Sequence, residues 1–222
     1  MLNAMDETAF LAALPIERRL ALAYAPAHVR RLWLGLFALD ARLGGVVRGA
    51  HEPMLAQIKL AWWRDQLARP PSARAVGEPL LGLLGAWDGE VAGLQALVDG
   101  WELVMGDQGP DQSTMLQYAK TRAQACAALA VRLNLTEAPP EAERAARGWA
   151  LAEWAAAQSD PDQKALAIGL IAQLDWRRVS LPRELRPLQV LYGLAARQRG
   201  NGPLIPGPIA GLRAVRLGLL GI

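Results

Sequence analysis

The chain has 222 residues, of which 52% are hydrophobic and 6% aromatic, and its formal net charge is +3. This length is typical of a single domain that folds without disulfides or metals, and we expect residues 1–222 to form one such domain. The basic residues form no stripe, which argues against binding to nucleic acid. The single cysteine, Cys126, excludes an intrachain disulfide, fits a reducing compartment and is predicted to be a small buried side chain.

Targeting and membrane-spanning signals are not found. Residues 1–14 contain two acids and no basic residue, so we expect no secretory signal. No window of about 18 apolar residues is free of charge, which argues against a membrane-spanning helix. The sequence therefore predicts a cytoplasmic protein and leaves open a peripheral association with the inner face of a membrane.

Alanine and leucine dominate the composition, so helix propensity is high along the whole chain. A short helix is predicted from Pro15 to about Tyr24. Pro26 stands at a natural first helical position, and the next helix is expected to run from there to the Gly44–Gly45 pair. Residues 32–39 are apolar on every face, which predicts a buried central helix.

Proline marks the start of the following helix at Pro53. Four apolar residues fall on one stripe of it: Met54, Ile58, Ala61 and Trp62. A loop is expected over 69–79, and breaks at 106–110, 138–140 and 200–203. Further helices are predicted over about 79–87, 90–105, 111–135, 141–158, 161–178, 182–199 and 206–220.

The turn at 159–162 predicts an N-cap with proline in the first helical turn. No segment alternates with β-branched content, so we predict no strands. The sequence predicts an all-α fold of about nine or ten helices.

Several ordered segments resemble the squalene/phytoene synthase family. Residues 25–39, APAHVRRLWLGLFAL, are similar to the family's LPPxxRRAxxALYAF, and residues 62–65, WWRD, to its tryptophan-rich WRxxL helix. Residues 97–102, LVDGWE, are similar to LIDGMExDL, and residues 116–119, LQYA, to the start of LxxYCxxVAGxVG. The resemblance covers residues 14–135 and implies an isoprenoid-synthase-like helical bundle around a central cavity.

The family's metal-binding acids are missing from this sequence. The family holds magnesium and prenyl diphosphate with two aspartate-rich clusters, and its DDxxD slot falls on residues 44–48. Gly44 and Gly45 replace the leading acids, and Arg48 replaces the last. The second cluster is expected between 147 and 181, where no DxxxD or DxxED occurs; the acids there are Glu153, Asp160, Asp162 and Asp175. Since magnesium prefers carboxylate and phosphate oxygens, the sequence predicts no catalytic residue and no metal site.

The candidate cavity or binding residues are Asp40, Arg42, Trp62, Arg64, Tyr118 and Arg122. An acid inside an apolar helix requires a partner, so Asp40 is expected to pair with Arg42, Arg64 or Arg122. The other open reading of Asp40 is a remnant acid that contacts a ligand. Tyr118 and Arg122 lie one turn apart on one helical face.

The side chains of Trp62 and Trp63 point about 100° apart on a helix, so one of them is expected to face the core and the other a cavity or partner. Arg64 and Lys59, on the same helix, are expected on a solvated face, with contact to a phosphate as the alternative. His28 and His51 lie far from other metal-binding side chains, which argues against a zinc site.

The C-terminal segment, residues 206–222, mixes charged and apolar positions around the helix. This pattern favours docking on the domain over insertion into a membrane surface.

Three functions fit these observations. The first is a catalytically inactive member of the resembled family, similar to the branch implicated in respiratory complex I assembly. It would bind a prenyl lipid, a prenyl diphosphate or a partner protein at a membrane, with no cofactor. The second is an active prenyltransferase that condenses prenyl diphosphates with magnesium. The third is an unrelated helical interaction module.

Overall fold

All regular secondary structure that the computed structural model describes is helical. The described residues are 4–50, 52–106, 109–199, 202–204 and 218. They contain ten α-helices: α1 Ala4–Ala13, α2 Ile16–Ala23, α3 Arg30–Arg48, α4 Pro53–Ala68, α5 Pro79–Leu84, α6 Val91–Leu103, α7 Gln112–Arg132, α8 Pro139–Ala157, α9 Pro161–Ala172 and α10 Arg186–Gln198. Short 3-10 turns lie at Pro71–Ala73, Gly85–Trp87 and Arg183–Leu185. The predicted all-α fold of about ten helices is confirmed.

Helix starts follow proline and capping side chains. Helices α4, α5, α8, α9 and α10 have proline in their first turn, where a missing N–H costs no helical hydrogen bond. Asp111 precedes α7 and accepts a bond from the Thr114 amide at 2.7 Å. Asp160 precedes α9 and accepts from the Asp162 amide at 2.8 Å. The predicted starts of α4, α7 and α9 are therefore confirmed within a residue or so.

Two predicted boundaries around α3 are wrong. The chain turns at residues 26–29, where the Val29 amide donates to the Pro26 carbonyl at 3.1 Å, and α3 begins at Arg30. The helix also continues through Gly44 and Gly45 to Arg48. Tertiary contacts around Gly44, given below, outweigh the low helix propensity of glycine. The buried middle of this helix is confirmed.

Helix α9 ends at Ala172, six residues before the predicted end at 178. Side chains bond to backbone carbonyls on both sides of this helix end. Trp176 Nε1 donates to the Ile171 carbonyl at 2.9 Å, and the Tyr192 hydroxyl donates to the Arg177 carbonyl at 2.8 Å. A similar error concerns residues 138–140, which begin α8 instead of ending the preceding unit.

Helix α7 lies between α6 and α8 and contacts both along their lengths. Glycines make the α6–α7 approach close. A Cβ on Gly93 would collide with Ala128, and one on Gly100 would collide with Thr121. Helix α8 in turn contacts α9 and α10, while α3 packs on α5 and α6. This arrangement buries the polar side chains of α2, α3, α7 and α8 at one point.

Several predictions concern residues outside the described ones. They are the closing helix over 206–220 and its docking, the turn at Gly200–Asn201, and the environment of His51. Gly218 is described, and it lies so close to the Tyr24 ring that an added Cβ would collide with it. None of the described helices is both long and apolar enough to cross a membrane.

Candidate functional site

Two arginines and two carboxylates form a ring of ion pairs where α2, α3, α7 and α8 meet. We call Arg18, Asp40, Arg122 and Glu153 the ion network. Asp40 Oδ2 lies 2.6 Å from Nη2 of Arg18 and 2.8 Å from Nη2 of Arg122. Glu153 Oε2 lies 2.6 Å from an Nη atom of each arginine, and Arg18 Nε donates to Glu153 Oε1 at 2.9 Å. Each residue therefore contacts both residues of opposite charge, and the ring is electrically neutral.

Tryptophan side chains enclose the ion network. Trp101 Nε1 donates to Asp40 Oδ1 at 2.8 Å. The guanidinium carbons of Arg18 and Arg122 lie 5.2 and 4.8 Å from the centre of the Trp149 ring, within the range of cation–π attraction. The side chains of Arg18, Asp40 and Arg122 are no more than 4% exposed. Glu153 is 16% exposed, so the ring of charges is mostly but not wholly removed from water.

Burial and the arginines together set the protonation states. Burial alone would raise the pKa of Asp40, but Arg122 and Arg18 outweigh it and hold that pKa at about 2. Burial likewise opposes the charge of Glu153, yet the two arginines lower its pKa below the ordinary value. Burial raises the pKa of the Tyr118 hydroxyl. At neutral pH both acids are charged and the tyrosine is neutral.

A cavity of about 420 Å³ opens beside the ion network, and we call it the network cavity. The ion network forms its polar floor. Its remaining walls are mostly apolar and aromatic: Pro15, Ile16, Ala41, Trp101, Tyr118, Trp154, Ala156, Ala157, Pro203 and Leu204. Glu17 and Arg48 add one charged group of each sign. The volume lies in the range of small-molecule sites.

The network cavity combines unpaired donors with paired acceptors. Arg122 Nε and Trp154 Nε1 are buried and have no acceptor among the residues that the structure describes. In contrast, all four carboxylate oxygens of Asp40 and Glu153 accept a bond from arginine or tryptophan. Both unpaired donors have almost no accessible surface, so they belong to the packed wall and not to the surface that a ligand would contact.

Arg48 lies at the edge of the network cavity, in the last turn of α3. Its side chain folds back over Gly44, where an added Cβ would lie 2.8 Å from both Arg48 Nη2 and Trp101 Cζ2. The guanidinium carbon lies 5.1 Å from the centre of the Trp101 ring. Within the described part of the chain, no carboxylate lies within salt-bridge distance of it. Gly44 is therefore the residue that makes room for Arg48.

Three of the predicted site residues come together in this region. Asp40 pairs with Arg122, which confirms the expected partner type and one of the three named candidates. An Nη of Arg122 also donates to the Tyr118 hydroxyl at 2.6 Å, so the predicted shared face of α7 is confirmed. All three side chains line the network cavity.

The predicted residues Arg42 and Arg64 lie elsewhere and pair with other acids. Arg42 lies 3.2 Å from Glu78. Arg64 lies 2.7 Å from Asp99 and 2.5 Å from Glu102. These two ion pairs join α4 to α6 on the surface. Of the three alternatives named for the partner of Asp40, these two arginines therefore pair elsewhere, and Arg122 is the one that contacts it.

Trp62 lies on a different surface from the ion network. Trp63 is 3% exposed and Trp62 is 37% exposed, as expected for neighbours that point in different directions. Trp62 lines a wider groove of about 760 Å³ between α1, α3, α4 and α5. The large apolar residues on the outer face of α4 are exposed: Met54, Leu55, Ile58 and Trp62. The predicted apolar stripe on this helix therefore points mostly to solvent.

Sequence reasoning missed Arg18, Glu153 and Trp101. The sequence indicates that Asp40 needs a cationic partner, but it does not indicate how many arginines surround the carboxylate. Glu153 was one of four acids between residues 147 and 181, and its burial between arginines distinguishes it. Arg18 lies in a short helix with an ordinary charged pattern, which carries no signal of burial.

The donors around the network cavity do not fit a magnesium ion. Gly44, Gly45 and Arg48 supply no oxygen side chain at the positions where the resembled family has acids. All carboxylate oxygens of Asp40 and Glu153 already accept a bond from arginine or tryptophan, whereas magnesium needs oxygen ligands free to coordinate it. Among the described residues, no three histidine, cysteine or acidic side chains form a group able to hold a metal.

Two further predictions concern histidine and cysteine. His28 is exposed and lies 4.0 Å from Glu184. Cys126 is buried, and burial raises the pKa of its thiol to about 12, which confirms the prediction of a small buried side chain.

None of the protein-family models, curated proteins or solved structures compared with the chain matches it. The resemblance of residues 14–135 to the squalene/phytoene synthase family therefore stays a prediction.

Proposed function

We propose that the protein is a catalytically inactive member of the squalene/phytoene synthase family that acts by binding. Its role is accessory, of the assembly type, and its ligand is a prenyl lipid or a partner protein at a membrane. One observation carries this proposal. The acids that line the network cavity beside α3 and α8 are held by arginines instead of being free for a metal.

Prenyl transfer requires carboxylates that are free to bind metal ions. Ionisation of a prenyl diphosphate needs magnesium ions to neutralise the departing diphosphate, and the ions need carboxylate ligands. To free Asp40 for this task, the protein would have to leave Arg18 and Arg122 without it in a buried site. Leaving buried charges uncompensated costs about 3–5 kcal/mol. The arrangement therefore supports a stable binding cavity more than a catalytic one.

The shape and lining of the network cavity support a lipid-like ligand. Its walls include Trp101, Tyr118 and Trp154, and its volume is about 420 Å³. Apolar walls with a few converging polar groups are typical of small-molecule sites. The exposed apolar face of α4 gives separate support to the alternative of a protein partner, because exposed patches of this kind mark interaction surfaces.

Turnover of prenyl diphosphates tests the proposal. Farnesyl and geranylgeranyl diphosphate are incubated with the purified protein and magnesium, and released diphosphate is measured. We expect no release above the background of the buffer. Magnesium-dependent release that the substitution Asp40→Ala abolishes would overturn the proposal in favour of an active prenyltransferase.

A second measurement tests the binding role. The protein is purified from its native cells, and co-purifying lipids and proteins are identified by mass spectrometry. We expect a prenyl lipid or a membrane-associated complex to be enriched over a Trp101→Ala, Trp154→Ala and Ile58→Glu triple variant. Equal recovery with both proteins would contradict the binding role and favour an unrelated helical module.

A further inference from the structure

The network cavity has one cation, Arg48, that is not paired with an acid among the residues that the structure describes. The four charges of the ion network neutralise each other, so its floor attracts neither cations nor anions strongly. Arg48 differs, because it is exposed at the cavity edge and no described carboxylate lies within salt-bridge distance. Its guanidinium rests on the Trp101 ring, which leaves its outer edge available.

The packing around Arg48 holds this cation in place. Because residue 44 is glycine, the Arg48 side chain can fold back along α3 against Trp101. An arginine in the last helical turn usually extends into solvent, where it has many conformations. Contact with Trp101 restricts that freedom, so less entropy is lost when a ligand binds.

The charged groups on the floor of the network cavity favour an anion over a cation as the ligand. All four carboxylate oxygens of Asp40 and Glu153 already accept a bond from arginine or tryptophan. A cation would therefore find no free carboxylate oxygen on this floor, whereas Arg48 at the cavity edge is open to an anion.

From these contacts we infer that the network cavity binds an amphiphile with a single anionic head group, held by Arg48 without a metal ion. The apolar body of the ligand packs against Trp101, Tyr118 and Trp154. The head group is a phosphate or a carboxylate, whose oxygens accept bonds from the arginine. This inference rests on the proposed binding role and specifies the class of ligand.

Glu17 provides a second test of the inference, because its effect on ligand affinity should be opposite to that of Arg48. Its carboxyl lines the same cavity, and burial raises its pKa. A negative charge there opposes an anionic head group, whereas Arg48 attracts it. Neutral substitutions at the two positions should therefore shift the affinity in opposite directions.

The experiment measures binding of dodecyl phosphate, lauric acid and dodecanol by isothermal titration calorimetry in EDTA, below the micelle concentration. Dodecyl phosphate should bind and dodecanol should bind much more weakly. Lauric acid shows whether the site also takes a carboxylate head group. Arg48→Gln should weaken dodecyl phosphate binding about tenfold and leave dodecanol unchanged, since a charge-assisted hydrogen bond is lost.

Matched variants distinguish a specific loss of anion binding from a general effect of the substitution on folding or net charge. Arg132→Gln removes an exposed arginine from the last turn of α7 and should leave binding unchanged. Gly44→Ala should displace the guanidinium, weaken binding and add little to Arg48→Gln in the double variant. Glu17→Gln should tighten dodecyl phosphate binding.

Three results would overturn the inference: no binding of either anion in EDTA, equal loss in the two arginine variants, or a dodecanol affinity that matches dodecyl phosphate. None of these results would be evidence of catalysis. If the inference fails, the proposed inactive, partner-binding role is therefore not contradicted. Conversely, magnesium-dependent turnover would contradict the proposed function even if Arg48 binds anions as described.

Discussion

At the residue scale, burying the charged side chains of the ion network costs free energy, and several contacts offset that cost. Moving a charged side chain out of water costs several kcal/mol, even after the surroundings relax. In this protein each carboxylate oxygen accepts at least one bond, and both guanidinium groups lie against Trp149. Removal of a single member therefore leaves an uncompensated charge in a buried site.

Removal of one arginine tests this dependence. Arg122→Met leaves Asp40 and Glu153 with a single arginine between them, so the buried site carries an excess negative charge. We expect the free energy of unfolding, measured by urea denaturation, to fall by about 3–5 kcal/mol.

The matched double variant Asp40→Leu with Arg122→Met removes one charge of each sign and keeps the Arg18–Glu153 pair. We expect it to regain most of the lost stability, because an apolar pair of similar volume replaces an ion pair at little cost. If the single variant loses less than about 1 kcal/mol, the network does not control stability.

The candidate site was only partly predictable from the sequence, for reasons that lie in single residues. Asp40 stands in an apolar helix, and the cost of an unpaired buried charge predicts an arginine partner. Arg122 follows Tyr118 by one turn, which places both on one face. Arg18 and Glu153 occur in helices with ordinary exposed charges around them, and the three-dimensional packing of α2 on α3 and α8 decides that they are buried.

At the element scale, the α6–α7 contact depends on small residues. Gly93 faces Ala128, whose Cβ has no other rotamer, and Gly100 faces Thr121, whose hydroxyl is held by the Tyr118 carbonyl at 2.8 Å. Neither neighbour can move aside without a shift of the helix axis. Close approach of the two helices therefore outweighs the poor helix propensity of glycine.

Alanine substitutions test this close packing. Gly93→Ala and Gly100→Ala should each lower the free energy of unfolding by about 1–3 kcal/mol, because the added methyl group overpacks the contact. Gly169→Ala in α9 is the control, since nothing lies within 4 Å of its Cβ position. There the change should raise stability by about 0.5–1 kcal/mol through helix propensity. A gain at all three positions would show that the helices are not in close contact.

The fold was predictable where local signals decide it. Proline and capping aspartates act within one helical turn, and the starts of α4, α7 and α9 follow them. Helix ends and helix faces depend on distant contacts. The end of α9 is set by Trp176 and Tyr192, and the stripe of α4 that includes Ile58 is exposed because Leu60 and Trp63 face the core.

At the scale of the whole molecule, the ion network makes stability depend on pH in the acidic range. The pKa of Asp40 is about 2 in the folded protein and 3.8 without its surroundings. Its charge therefore stabilises the fold fully above about pH 4, and this contribution is lost as the pH falls through 2. The shift corresponds to on the order of 2 kcal/mol.

Urea denaturation between pH 5 and 2 measures this loss. The wild type should lose more stability over this range than the double variant Asp40→Leu with Arg122→Met, which lacks the carboxyl. Glu17, whose pKa is raised by burial, acts in the opposite direction in both proteins. Glu153 loses Arg122 in the double variant, so its pKa is lowered less there and it adds to the difference in the same direction as Asp40. Parallel loss in the two proteins would show that the charges of the ion network do not set the pH dependence.

The residues of the ion network also leave the ribosome at very different times. Arg18 and Glu153 lie 135 positions apart, and Asp40 and Arg122 lie 82 apart, so the ribosome releases the first half of the network long before the second. Until α7 and α8 emerge, Asp40 has Arg18 as an ionic partner but lacks Arg122, and Trp149 is not yet in place beside Phe37. The ion network is therefore completed only when helices from both ends of the chain pack together.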